Sequence, residues 1–329
     1  MVEPALTRPQ GAHVRCPYRI VHAPMRVVWM CAAVLVTMCL VSLDESGRAQ
    51  PRLMSGSLDV TWLHGAQDCQ TNTDPPIQIH RYNEHTYILR QNKCINYEAP
   101  FLYLLFGGEK VFLQDTGATD AATRFPIRDT VQSIITQWLE AHNKRSIQLI
   151  VTHSHSHGDH IAGDEQFRGQ PNTTVVDTTL AAVKRFFGIT AWPTQIVTYD
   201  LGERRLDIIP VPGHEATHIA VYDWQTGILL TGDTLYPGRL YIRDWRAYKA
   251  SISRLVAFSQ NHPIMHVLGT HIEMSNVPGR DYPLGSTYQP QEHVLQLTPA
   301  HLLKLHDAVR VMRNTPIRKI FDDFIIYPL

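Results

Sequence analysis

V-T-H-S-H-S-H-G-D-H, Val151 to His160, decides how this chain is read. It sets four histidines and an aspartate directly behind the apolar run Ile147 to Val151. That run reads as a buried strand, and loops at strand ends are where layered α/β scaffolds build their sites. In extended backbone, side chains two residues apart point the same way, so His155 and His157 can grip one ion. Asp159 and His160 need a turn to face inward, and Gly158 is expected to supply it. One loop can therefore contribute to two adjacent metal ions. His153 is out of register with the aspartate and is the surplus histidine, either supporting a ligand or exposed.

The missing ligands are found by following the later strands to their ends. R-L-D-I-I-P-V-P-G-H stops at His214, the hairpin I-A-V-Y-D-W-Q-T-G-I-L-L-T-G-D at Asp233, and I-M-H-V-L-G-T-H at His271. Imidazole nitrogen combined with carboxylate oxygen suits zinc, iron or manganese. His266 lies inside its apolar run rather than at its end, so His271 is the expected ligand there. His218 follows His214 by four residues and is read as structural or as a support to a ligand.

Around these loops the periodicity alternates between strand and helix. I-Q-I-H-R-Y and T-Y-I-L-R-Q alternate with period two. Phe101 to Asp115 reads as a hairpin turning at Gly107-Gly108. Val131, Ile134, Ile135, Trp138 and Leu139 share one helical face. T-T-V-V-D is a further strand, followed by a helix over Thr178 to Phe187. Another helix is expected over about Trp245 to Phe258, and a last one from Pro299 to Met312 with Thr298 as its N-cap. A closing strand is placed within Ile320 to Tyr327.

Composition limits the partners. The chain has 329 residues with thirty basic and thirty acidic side chains, and no basic run or aromatic-basic stripe. That disfavours nucleic acid as a partner and leaves a small molecule. At the N-terminus, Arg26 precedes the uncharged run Val27 to Ser42, which has the length of a signal-peptide core. Gly47 and Ala49 fit a cleavage site. Residues 1–49 are read as a signal peptide, with Met25 an alternative start, and 50–329 as one domain closed by a C-terminal helix and strand. The protein is then periplasmic or secreted, with no stable membrane association after cleavage; an uncleaved N-terminal anchor is the other reading. Of five cysteines, only Cys69 and Cys94 remain after cleavage. A disulfide between them is expected, with two buried thiols as the alternative.

Taken in order, His155-Ser-His157-Gly-Asp159-His160, P-G-H ending at His214, T-G-D-T-L containing Asp233, G-T-H ending at His271 and the earlier D-T-G at Asp115 to Gly117 resemble the metallo-β-lactamase fold hydrolases. The resemblance spans about Asp115 to His271 and implies an α/β four-layer αβ/βα sandwich. It further implies that His155, His157 and His214 hold one metal, that Asp159, His160 and His271 hold a second, and that Asp233 bridges them with a hydroxide. Two zinc ions are the expected cofactors, with iron or manganese as alternatives. Asp115 is expected to support a ligand. Asp159 is expected to orient the hydroxide and shuttle its proton.

The reaction implied is attack on a carbonyl of an ester, lactone, thioester or amide. A mononuclear iron persulfide-type dioxygenase and a β-lactamase are the alternatives, together with a non-catalytic scaffold that keeps the fold. Asp233 disfavours the β-lactamases, which generally lack an aspartate bridge. Tyr236, three residues after Asp233, stands where the family's lactonases carry a tyrosine that steadies the developing oxyanion.

Overall fold

The computed structural model describes residues 53–329. The signal-peptide reading of residues 1–49 therefore lies outside the described residues. Six strands form the first sheet: β1 (Ile77–Asn83), β2 (Thr86–Gln91), β3 (Phe101–Phe106), β4 (Lys110–Gln114), β5 (Gln148–Thr152) and β6 (Thr173–Val175), in that spatial order. The first four run antiparallel, and β4, β5 and β6 are parallel. α1 (Ile127–Ala141) connects β4 to β5. α2 (Gly158–Ile161) and α3 (Leu180–Phe187) flank β6 in sequence.

The second sheet contains β7 (Val197–Asp200), β8 (Arg205–Pro210), β9 (Ile219–Asp223), β10 (Ile228–Gly232), β12 (His266–Gly269) and β13 (Gln296–Leu297), and its spatial order runs β13-β12-β10-β9-β8-β7. β11 (Arg239–Ile242) leaves it to form a small sheet with β14 (Lys319–Ile320) and β15 (Ile325–Pro328). α4 (Trp245–Ser259) and α5 (Pro299–Met312) complete the chain's regular structure.

The apolar side chains sort into three layers, and these make the sandwich. Ile88, Tyr103, Phe112 and Ile150 of the first sheet pack against Ile208, Val221, Leu230 and Leu268 of the second. Leu102, Leu104 and Leu113, on the first sheet's other face, meet Val131, Ile134 and Trp138 of α1. Ile209, Ala220 and Leu229, on the second sheet's other face, meet Ile252 and Leu255 of α4 and Leu302 and Leu305 of α5. Central strands covered on both faces need no polar alternation, which is why Phe101 to Phe106 is buried at every position.

The closing strand is split rather than continuous. β14 turns back on β15 as a short antiparallel pair, because β15 is held by β11 on its other side. β11 and β7 were not legible, being only four residues each. Among the described residues, no helix is long and apolar enough to cross a membrane.

Cys69 and Cys94 are joined by a disulfide 25 residues apart in sequence. Closing a loop of that length removes about 3.5 kcal/mol of chain entropy from the unfolded state. Reduction, or replacement of both cysteines by serine, is expected to lower unfolding free energy by roughly that amount. Denaturant melts with and without reductant test it, and coincident curves would count against the bridge as a stabilising element.

Candidate metal centre

Five chain segments deliver the site, all beyond the same ends of the inner strands. The segment after β4 brings Asp115; that after β5 brings His153, His155 and His157 and then α2 with Asp159 and His160. Those after β8, β10 and β12 bring His214, Asp233 and His271. His155, His157 and His214 form one group of converging ligand atoms, and Asp159, His160, Asp233 and His271 a second. All seven residues named from the sequence are therefore brought together.

Within the first group, His157 Nδ1 lies 2.8 Å from His155 Nε2 and 3.0 Å from His214 Nε2. His157 Nδ1 can share a proton with only one of the two, which leaves lone pairs facing one another, and a cation among the three nitrogens would relieve that. Burial first, and neighbouring imidazoles second, push His155 well below the usual histidine range and lower His157. Neutral rings with available lone pairs are what a divalent ion takes.

In the second group, Asp159 Oδ2 lies 3.1 Å from His160 Nε2 and 3.3 Å from His271 Nε2. Burial opposes ionisation of Asp159, yet His160 and His271 outweigh it and hold its carboxyl below the usual range. Burial likewise disfavours a charged His271, but Asp233 and Asp159 raise it to about 9. His160 Nε2 is buried without a hydrogen-bond partner. An orphaned imidazole nitrogen among carboxylates fits a metal ligand, because a metal would satisfy it.

Asp233 lies between the groups. Its Oδ2 is 3.4 Å from His214 Nε2, 3.8 Å from His155 Nε2 and 3.7 Å from His160 Nε2, while Oδ1 is 3.5 Å from His271 Nε2. The Thr270 hydroxyl donates to Oδ1 and fixes the carboxylate's orientation.

The rings are aimed from behind. Asp115 Oδ1 accepts the Ser154 amide at 2.7 Å, and Oδ2 lies 3.1 Å from His160 Nδ1. His214 Nδ1 is 2.7 Å from the Tyr241 carbonyl, and His271 Nδ1 is 3.0 Å from the Glu98 carbonyl. In each case donation from Nδ1 leaves Nε2 as the lone pair facing the site. Sequence reasoning found Asp115 but missed Tyr241 and Glu98, because a backbone carbonyl carries no side-chain signature.

The remaining histidines separate cleanly. His153 is buried, not exposed, and its Nε2 lies 2.8 Å from Asp164 Oδ1. His218 is buried with its ring 4.7 Å from that of His155, outside both groups. His266 opens β12 and packs edge-on against Tyr82. Gly158 does not supply a special turn: its backbone angle is ordinary and a Cβ there would meet nothing within 4 Å. The turn comes instead from the start of α2, with His157 as its N-cap in extended backbone.

A cavity of about 170 Å³ opens over both groups, lined also by Tyr236, Tyr241, Arg243, Glu98 and Glu273. Tyr236 borders it, but its hydroxyl donates to the Arg239 carbonyl, with Glu273 Oε2 a second neighbour at 3.3 Å. The phenol's one hydrogen goes to the chain in this geometry, not to a substrate.

Residues 98–260 match the sequence model of the metallo-beta-lactamase superfamily. The matched stretch, just under half of the chain, runs from before His155 to beyond Asp233 and is similar to that superfamily. The chain's sandwich is the metallo-β-lactamase fold. The chain is 36% identical over 126 residues to a hydroxyacylglutathione hydrolase of Ectopseudomonas mendocina, covering 36% of this chain and 46% of that protein. It is 32% identical over 94 residues to the acyl-coenzyme A thioesterase MBLAC2 of Gallus gallus, covering 27% and 33%. The chain spans about half the length of the first of these, or less, in the matched region. Among solved structures, a metallo-beta-lactamase from Pontibacter korlensis superposes with a TM-score of 0.45 at 19% identity, covering 71% of this chain and 99% of that one.

Proposed function

We propose that this chain is an exported, dinuclear metal-dependent hydrolase that cleaves small-molecule thioesters. The observation that carries the dinuclear reading is Asp233, whose two oxygens face both ligand groups. His155, His157 and His214 would hold one ion, and Asp159, His160 and His271 the other, with Asp233 shared. A bound pair of divalent ions, for which this donor set suits zinc as well as iron or manganese, would supply Lewis acidity and a water acidified toward neutrality.

The chain's own groups supply the rest. Asp159, at the edge of the cavity, orients the attacking water and accepts its proton. The acyl carbon gains a bond to that oxygen and loses its bond to sulfur. The sulfur leaves as thiolate and takes up that proton from Asp159, and the carboxylic acid formed releases its own proton to solvent, giving a carboxylate and a free thiol. Among the carbonyl bonds this site could cleave, thioesters are favoured by the relatives, which are named for glutathione and coenzyme A thioesters. The Cys69–Cys94 bridge favours an oxidising compartment and hence export.

Metal content by mass spectrometry, joined to a panel of thioester, lactone and β-lactam substrates, tests the reading. About two zinc ions per chain and turnover of thioesters are expected. His153→Ala should retain both ions, and His155→Ala should not. One iron per chain would point to the dioxygenase instead, and two zincs with lactone turnover alone would remove the thioester part.

Tyr236→Phe separates two roles. With the hydroxyl bonded to the Arg239 carbonyl, the change leaves a buried acceptor unsatisfied and is expected to lower stability by about 1–3 kcal/mol. Turnover at a temperature well below unfolding is expected to stay within a fewfold. A hundredfold fall in turnover at unchanged melting temperature would restore Tyr236 as an oxyanion donor.

A further inference from the structure

The cavity over the metal centre does not end at its rim. Arg243 lines it and also lines an adjoining open groove with Arg246, Lys249, Trp245, Asp244 and Asn314. Three cations stand there against one carboxylate, in a chain whose formal net charge is zero. Arg243 and Arg246 are exposed, and among the described residues neither guanidinium is hydrogen-bonded to or ion-paired with a carboxylate. The lone carboxylate, Asp244, is committed to capping α4 through the Ala247 amide at 2.9 Å. Lys249 Nζ donates to the Arg313 carbonyl and to Asn314 Oδ1 at 2.9 Å, so one of its three donors remains.

The rim is held rigidly against the site. The amides of Arg243 and Asp244 both donate to the Gly213 carbonyl at 2.9 Å, the residue before His214. The backbone that carries Arg243 is thus fixed beside His214, and its exposed guanidinium stands where the cavity passes into the cationic groove, placed to receive what extends out of the cavity.

We propose that the Arg243–Arg246–Lys249 groove is a subsite for an anionic group, phosphate or carboxylate, on the thiol portion of the substrate. This rests on the thioesterase reading and adds to it the class of leaving group. Guanidinium forks pair with phosphate and carboxylate oxygens at two points, and Trp245 gives the groove a flat wall. Binding energy gathered at this distance from the reacting bond raises kcat/KM for substrates that carry the anion. Because the arginines are exposed, that preference weakens with salt.

The experiment compares three thioesters of one acyl group on the zinc-loaded protein. Their thiols are 4′-phosphopantetheine (phosphate), N-acetylcysteinylglycine (carboxylate) and N-acetylcysteamine (neutral). The kcat/KM ratio of anionic to neutral substrate is expected to exceed about tenfold, to fall severalfold in Arg243→Ala and to approach one in the Arg243→Ala/Arg246→Ala pair. Arg145→Ala, the same loss of charge elsewhere on the surface, should leave the ratio alone.

In parallel, the S-methyl thioethers of the three thiols are titrated calorimetrically into the protein. Binding of either anionic thioether in wild type, weakened about tenfold in Arg243→Ala, supports the subsite whether or not any thioester turns over. The two anionic arms show whether phosphate or carboxylate is preferred. Equal binding of all three thioethers, or equal losses for all three in Arg243→Ala, overturns the proposal. Absence of thioester turnover with intact, Arg243-dependent anion binding would sink the thioesterase reading alone.

Discussion

Asp233→Ala is expected to empty both halves of the metal centre and to lower turnover by more than about a thousandfold. Removing a group that only orients a ligand typically costs ten- to a hundredfold in metal affinity or activity. Asp233 stands nearer than that: it is within 3.4–3.8 Å of ring nitrogens of four histidines. Its loss also leaves the Thr270 hydroxyl without its acceptor. The negative charge that offsets two divalent ions is reduced at the point they share. Metal per chain, measured on folded protein after gel filtration, should drop from about two to below one. Asp115→Asn makes the comparison. It keeps the shape behind His160 and is expected to stay in the ten- to hundredfold class. An Asp233→Ala protein that retains two ions would remove the bridging role from Asp233, and the two ions would then rest on the histidines and Asp159 alone.

The site was more legible than the fold around it, and the reason is physical. Metal ligands must be particular side chains at strand ends, so His155, His157, Asp159, His160, His214, Asp233 and His271 announce themselves as residue types. The outer layers were legible where a helix carried its own period, as in α1 and α4, or its own cap, as in α5. β7 and β11 escaped, and the closing strand within Ile320 to Tyr327 was placed without its break into β14 and β15. Tyr236 shows a different limit of the sequence. Spacing from Asp233 fixes where its backbone lies but not where the hydroxyl points, and Gly238 leaves room for the ring beside it: a Cβ there would lie 2.2 Å from Tyr236 Cε2. Two of the supports that aim the ligands, behind His214 and His271, are main-chain carbonyls, which only the folded chain reveals. Arg243 was equally silent, since its meaning comes from sharing a wall with the metal cavity.

Gly213→Ala carries the second large effect, although residue 213 holds no metal and bears no side chain. Gly213 has φ of +145°, a region that L side chains rarely adopt. A Cβ there would stand 2.5 Å from Tyr248 Cα and 2.6 Å from Tyr248 N. Those are helix atoms, and α4 cannot easily retreat: the Tyr248 hydroxyl donates to the Thr234 carbonyl at 2.6 Å, and Ile252 and Leu255 lie in the core. The loop must give way instead. It ends on His214, and it also accepts the Arg243 and Asp244 amides. Overpacking costs roughly 1–3 kcal/mol and a forced backbone about as much again. The expected result is a folded but weakened protein whose His155–His157–His214 group no longer closes. Metal per chain falls from about two to about one, and turnover falls more than about a hundredfold. Gly158→Ala is the control within the same site. It sits beside His157 and Asp159 with open space at its Cβ, and it should keep both ions. Circular dichroism and metal content measured together decide the matter: native stability and two ions in Gly213→Ala would show that the α4 contact does not position His214.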